Sequence, residues 1–172
     1  MKILADVQVA LDGVRVRYFS ARELLRLRRW GVHAELPDAY LPALLRVAHA
    51  ADQLRAMHGA PVICGNGYRP IDYNKAVGGS RNSAHIRAAA MDLDPTERAD
   101  EFAVLCARAW LGTPWLHGLG VYAGRVHIDV DHLGSAGKRA WPGRWNPASK
   151  TARVLRRAKA LGPITLEDLP NA

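Results

Sequence analysis

A chain of 172 residues is long enough to bury a core without cross-links and is read as one domain spanning residues 1–172. Nearly half of it is hydrophobic, no stretch approaches the length of a membrane span, and two cysteines exclude a disulfide-rich scaffold. The formal charge of +8 points to polyanionic partners: nucleic acid, an anionic membrane surface or an anionic cell wall.

The opening MKILADVQVALDG carries Asp6 and Asp12 inside its apolar run, so it does not read as a secretory signal. The chain is therefore expected to be made in a cytoplasm and to reach any outer site by another route. VRVRYF (14–19) alternates apolar and basic residues, as a short strand or an extended lead-in would. Ser20 followed by Glu23 forms a capping box, which predicts a helix over ARELLRLRRW. After the break GVHAELPD, a longer helix is predicted over roughly 38–58, with Leu41, Leu44, Leu45, Ala48, Ala51, Leu54 and Met57 at helical spacing. Gly59 and Pro61 end it.

PVIC then reads as a short buried strand, and GNGYRPIDYNKAVGGS, rich in turn formers, as a loop. AAAMDLD suits a strand. Residues 96–111 place Phe102, Leu105, Cys106 and Trp110 on one helical face behind a Thr96 cap, and two strands follow, LGVY and RVHIDV. The tail SKTARVLRRAKALG is a basic helix, either packed on the domain or loose. Helices first and strands later indicate an α+β fold with a small, mainly antiparallel sheet packed against the N-terminal and central helices. Its core is expected over about 18–145, with 146–172 as a basic helical tail. Cys64 and Cys106, far apart and in apolar surroundings, read as buried free thiols.

The chemistry concentrates in two of these strands. Along RVHIDVD, alternation sends Val126, Ile128 and Val130 to one face and Arg125, His127, Asp129 and Asp131 to the other. A solvated face would account for the charges alone. AAAMDLD repeats the pattern, with Ala89, Met91 and Leu93 opposite Ala88, Ala90, Asp92 and Asp94, and His85 just precedes it. If the two strands are neighbours, His85, Asp92 and His127 converge. Two imidazoles and a carboxylate with an open fourth position make a catalytic zinc (Zn2+) site, and the small alanines leave room beside it. Taken singly, each has a blander role: His85 capping a turn, Asp92 pairing with an arginine.

With these residues in view, the chain resembles the zinc peptidases of the D-alanyl-D-alanine carboxypeptidase type, which cut peptidoglycan stem peptides. The similarity is to the branch found in phage lysis proteins and murein endopeptidases. Their pattern Ser-x-His-x-x-Gly-x-Ala-x-Asp is matched by Ser83, His85, Ala88, Ala90 and Asp92. GYRPIDYNKAVGGSRNSAH, GLGVYAGRVHIDV and even YFSARELL resemble further family segments in the right order, over roughly residues 18–145. The resemblance implies zinc ligands His85, Asp92 and His127. It also implies an arginine, Arg69, that holds substrate and stabilises the developing oxyanion, and a supporting Ser83 behind the ligands.

Two positions depart from the pattern. The motif glycine is Ala88, whose methyl is expected to shift the strand slightly. Several relatives carry a catalytic carboxylate three residues before the third ligand, where this chain has Gly124. Asp129, two residues after His127 on the same strand face, is the substitute candidate for general base, with Asp131 behind it. Asp129 can alternatively orient a ligand as a hydrogen-bond acceptor. His117 lies near the site in sequence, while His33, His49, His58 and His132 have no motif support.

The expected function is a zinc metallopeptidase that hydrolyses an amide bond in the murein stem peptide or cross-link, in the setting of a phage or prophage endolysin. The expected partners are peptidoglycan and, through the basic surface, an anionic cell envelope, with the chain acting at the bacterial wall as a monomer. A non-catalytic wall-binding or virion structural protein retaining the fold is the alternative that Gly124 supports. A nucleic-acid-binding protein is suggested by charge alone and leaves the ligand set unexplained. RELLRLRR and RVLRRAKA read as solvated helix faces, and Trp141 and Trp145 as packing residues.

Overall fold

The computed structural model describes residues 1–131, 138–141, 149–165 and 168. Among the described residues, six α-helices and seven strands follow in the order α1 (Leu4–Gly13), α2 (Ala21–Leu24), β1 (Arg26–Leu27), β2 (Val32–His33), α3 (Leu41–His58), β3 (Val62–Asn66), α4 (Ile71–Ala76), β4 (Ala90–Pro95), α5 (Ala99–Gly112), β5 (Gly118–Tyr122), β6 (Arg125–Asp129), β7 (Arg139–Trp141) and α6 (Lys150–Leu161). The main sheet runs β3-β4-β6-β5-β7, antiparallel throughout except for the β5–β7 pair; β1 and β2 make a separate hairpin. The expected α+β class, with a small and mainly antiparallel sheet, is what the chain adopts.

Alternation divides the sheet. Val62, Cys64, Met91, Leu93, Leu119, Val121, Val126 and Ile128 are buried in one continuous cluster with residues of α3 and α5. On α3, Leu44, Ala48, Ala51 and Leu54 are fully buried, whereas Leu41, Leu45 and Met57 are only half-buried. The polar residues of β4 and β6 are left on the opposite face. Both cysteines are free and buried, and burial pushes their thiol pKa values up, as inert core thiols require.

Several local expectations need correction. The predicted helix over ARELLRLRRW ends after Leu24. The capping box forms as expected, with the Ser20 hydroxyl accepting from the Glu23 N–H and the Glu23 carboxylate from the Ser20 N–H. Beyond it, Leu24, Leu25 and Leu27 are all buried, on more than one side of a helix, and β1 turns back through β2 instead. The opening segment, given no element by sequence, is helical, with Val7 and Leu11 one turn apart in the core. The lead-in 14–19 makes no sheet pairing: Val14 and Arg15 turn the chain off α1, with Arg15 at φ +58°, and the Arg17 and Tyr18 N–H groups then donate to the buried Asp52 carboxylate of α3 at 2.9 and 2.7 Å. The loop after β3 contains α4, anchored by buried Tyr73 and Asn74. Thr96 does not cap α5: its hydroxyl donates to the Pro61 carbonyl, and the helix begins at Ala99. The basic tail helix is packed, burying Ala152, Val154, Leu155 and Ala158, with Ser149 as its N-cap. His132 and Trp145 lie outside the described residues.

Candidate metal centre

The main-sheet register assembles the site. β4 and β6 pair with Asp92 directly opposite His127, and β5 sets Gly120 opposite His127 and Gly118 opposite Asp129. His85 arrives from a single 3₁₀ turn, Ala84–Arg87, immediately before β4. That turn closes through Ala88 at φ +54°, a left-handed backbone in which the family's glycine would be unstrained. The methyl of Ala88 is thus accommodated at a strained residue, and β4 begins two residues later, at Ala90, pairing with β6 without a break.

His85, Asp92 and His127 offer three donor atoms that lie within 4.8 Å of one another, all on buried residues. Asp92 Oδ1 is 2.9 Å from His127 Nδ1 and 3.2 Å from His85 Nε2, and the two ring nitrogens are 3.2 Å apart. A tetrahedral zinc with bonds of about 2.0–2.1 Å sets its ligand atoms roughly 3.3–3.4 Å apart, so the triangle needs to open by only tenths of an ångström.

The outward-facing atoms support the same conclusion. His85 Nδ1 is 2.7 Å from the Gly67 carbonyl, which can only accept, so that nitrogen carries the proton and Nε2 presents a lone pair inward. His127 Nε2 lies 3.5 Å from Asp129 Oδ2, a charge contact longer than a hydrogen bond, in which the carboxylate favours a proton on the far nitrogen and leaves Nδ1 facing Asp92 and His85. The second oxygen of Asp92 accepts from Arg69 Nη2 at 2.5 Å and from Asn66 Nδ2 at 3.1 Å. Three lone-pair donors aimed at one another are repulsive until a cation sits among them. The donor set fits zinc.

The electrostatics follow from these contacts. Burial lowers the His85 pKa against the pull of Asp92. Burial also works against charge on His127, but Asp129 and Asp92 outweigh it and the pKa rises. For Asp92, burial opposes ionisation and is overcome by the adjacent His127 and His85 rings, so its carboxyl sits well below the usual range. Asp129 is lowered too, its desolvation offset by His127 and Arg139.

Around the triad is an open cavity of about 650 Å³ whose lining includes all three residues, Arg69, Ser83 and Gly124. That volume suits a short peptide segment. Arg69 thus stands at the cavity wall with its guanidinium on Asp92. Ser83 precedes the His85 turn, and among the described residues its hydroxyl makes no hydrogen bond to the three donors. Gly124 lies in the two-residue β5–β6 turn at φ +73°, a conformation that a carboxylate-bearing residue adopts only with strain. Asp131 pairs with Arg87, tying the end of β6 to the turn that carries His85. His117 lies outside the cavity lining; its backbone joins Asp129 to Arg139.

Sequence reasoning missed Asn66, the Gly67 carbonyl, the Arg125–Asp94 ion pair at the cavity wall (2.5 and 2.7 Å) and Arg139. Arg125 and Asp94 were legible in principle, since each sits two residues from a ligand on the same strand face. The Gly67 carbonyl carries no side-chain signal, and Arg139 is too distant in sequence.

A family model for peptidase M15 matches residues 17–131, more than half of the chain and the whole of the triad. The chain belongs to the peptidase M15 family, zinc-dependent peptidases of the D-alanyl-D-alanine carboxypeptidase type. No curated protein matches it.

Proposed function

We propose that the chain hydrolyses an amide bond in the peptide part of peptidoglycan, using zinc held by His85 Nε2, Asp92 Oδ1 and His127 Nδ1. The observation that carries this reading is the convergence of those three atoms in the wall of an open cavity. Zinc bound there supplies Lewis-acid polarisation of the scissile carbonyl and lowers the pKa of water. Arg69 and Asn66 occupy the second oxygen of Asp92, which would leave Oδ1 to hold the metal. Arg69 sets a fixed positive charge beside the ligands, where an oxyanion would develop. The Gly67 carbonyl and Asp129 hold the protons of the two imidazoles on their outer nitrogens.

Asp129 serves here as an orienting acceptor rather than the general base. Its Oδ2 faces the nitrogen of His127 turned away from the triad, and its Oδ1 accepts from Arg139 and the Asp131 N–H. With Gly124 in the turn, no carboxylate occupies the position that relatives use for proton transfer. That glycine is the observation favouring the second reading, a wall-binding protein that keeps the fold without turnover.

We place the activity in a phage or prophage lysis setting at the bacterial wall. The net charge of +8, with Arg153, Arg156, Arg157 and Lys159 on the outer face of α6, suits an anionic envelope. Retention on purified envelope should weaken as salt rises. Metal analysis joined to a muropeptide digest read by mass spectrometry tests the whole reading. One zinc per chain and a defined cleaved bond are expected, with both lost in His127→Ala. Zinc without cleavage supports the wall-binding reading, and a folded chain that refuses supplied zinc ends the metallopeptidase reading.

A further inference from the structure

β7 begins with Arg139, which lies beyond the segment matched by the family model and ten residues after the last strand-borne acid. Its Nη2 donates to Asp129 Oδ1 at 2.8 Å and to the Asp131 carbonyl at 2.9 Å. The main chain fixes the same pair from behind: the His117 N–H donates to the Asp129 carbonyl at 2.9 Å, and the Arg139 N–H to the His117 carbonyl at 2.7 Å. The Asp129 side chain is 2% exposed and that of Arg139 33%. A guanidinium reaching in from the cavity wall therefore neutralises a buried carboxylate whose other oxygen faces His127 Nε2.

We infer that Arg139 is a positioning residue for the metal centre, holding Asp129 where its carboxylate keeps the His127 proton on Nε2 and turns Nδ1 toward the metal. The inference rests on the zinc reading above. Its physical basis is the cost of a buried charge. Without Arg139, Asp129 keeps the Asp131 N–H and the His127 ring but no cation, and a carboxylate so placed turns toward solvent. That movement frees the His127 ring to rotate. A charge-assisted hydrogen bond of ordinary length is what prevents this. Removing such outer partners of a ligating imidazole typically costs about 10–100-fold in metal affinity.

The test compares the full chain with Arg139→Met, Arg139→Gln, Arg139→Lys, Asp129→Asn and the Arg139→Met/Asp129→Asn double variant. Zinc affinity is read by competition with a chromophoric chelator, and ligand geometry by the visible spectrum of the Co2+-loaded protein. Arg139→Met should bind zinc about 10–100-fold more weakly and shift the Co2+ spectrum. Arg139→Lys, which can reach one of the two acceptors, should recover part of the affinity. The double variant should be no weaker than the weaker single, because both changes break one chain of contacts. If Arg139→Met does not fold, Arg139→Gln carries the same expectation. Wild-type affinity with an unshifted spectrum overturns the inference, as do fully additive losses. A raised KM at unchanged zinc affinity also overturns it, by giving Arg139 to the substrate. Wild-type protein that takes up no zinc overturns the metallopeptidase reading itself, a result distinct from any of these.

Discussion

Gly118→Ala probes the site through a single methyl. Gly118 faces Asp129 across the β5–β6 ladder, and a Cβ built on it would lie 1.8 Å from Asp129 Oδ2 and 2.4 Å from Cγ. Ordinary contact for such a carbon begins at 3.4 Å, so the carboxylate must retreat by more than an ångström. It has nowhere free to go: Asp129 is 1% exposed, with Arg139 at 2.8 Å and His127 at 3.5 Å. Overpacking of this kind costs about 1–3 kcal/mol. Loss of a charged hydrogen bond adds roughly 1.5–3 kcal/mol. The stiffer unfolded chain returns about 0.4–1 kcal/mol. The metal-free protein should therefore lose about 1.5–5.5 kcal/mol, read from the urea midpoint at constant slope, and zinc affinity should fall about 10–100-fold. Gly13→Ala, at a helical residue with open space around its Cβ, is the control and should stabilise by about 0.4–1 kcal/mol. If Gly118→Ala unfolds within about 0.5 kcal/mol of wild type and binds zinc as tightly, the carboxylate does not occupy the position argued for it.

Three further outcomes are expected. Asp129→Asn should weaken zinc binding about 10–100-fold, with turnover recovered by excess zinc; a loss of about a hundredfold with zinc still bound would restore Asp129 as the general base. Asp52→Ala should cost about 2–4 kcal/mol in chemical denaturation, because the Arg17 and Tyr18 N–H groups lose their common acceptor. Ala88→Gly relieves left-handed strain of about 1–2 kcal/mol but gives up a buried methyl worth about 0.8 kcal/mol and loosens the unfolded chain by about 0.4–1 kcal/mol. Its net change should stay within about 1 kcal/mol, and a midpoint shift corresponding to more than twice that would mean the residue is not held as described.

The legible part of this protein was the part governed by alternation. On β4 and β6 each residue's face follows from parity, so Met91, Leu93, Val126 and Ile128 announce the core, and Asp92 and His127 the opposite face. Only the neighbourhood of the two strands had to be supplied, and the register grants it. Where three leucines must be buried within a few residues, as at Leu24, Leu25 and Leu27, helical spacing misleads, and a turn with a short hairpin satisfies them. The role of Asp129 was open in sequence because parity places it on the metal side without saying which nitrogen of His127 it meets. That depends on ring rotation, which the Gly118 gap and Arg139 set. Arg139 itself belongs to a strand three residues long, added in parallel at the edge, too short to show any period.

The pairing of Asp92 with His127 across residues 35 apart has a consequence for folding as well as for chemistry. A chain in which β4 has not yet met β6 holds at most two of the three donors, and a slip of one residue would send His127 into the apolar layer. The metal thus recognises the native register and little else, and by mass action it should act as a folding ligand. With free zinc at a thousand times its dissociation constant, such linkage adds about 4 kcal/mol to the native state. The melting temperature should rise with zinc concentration, and chelation should loosen the very strands that carry the catalytic face.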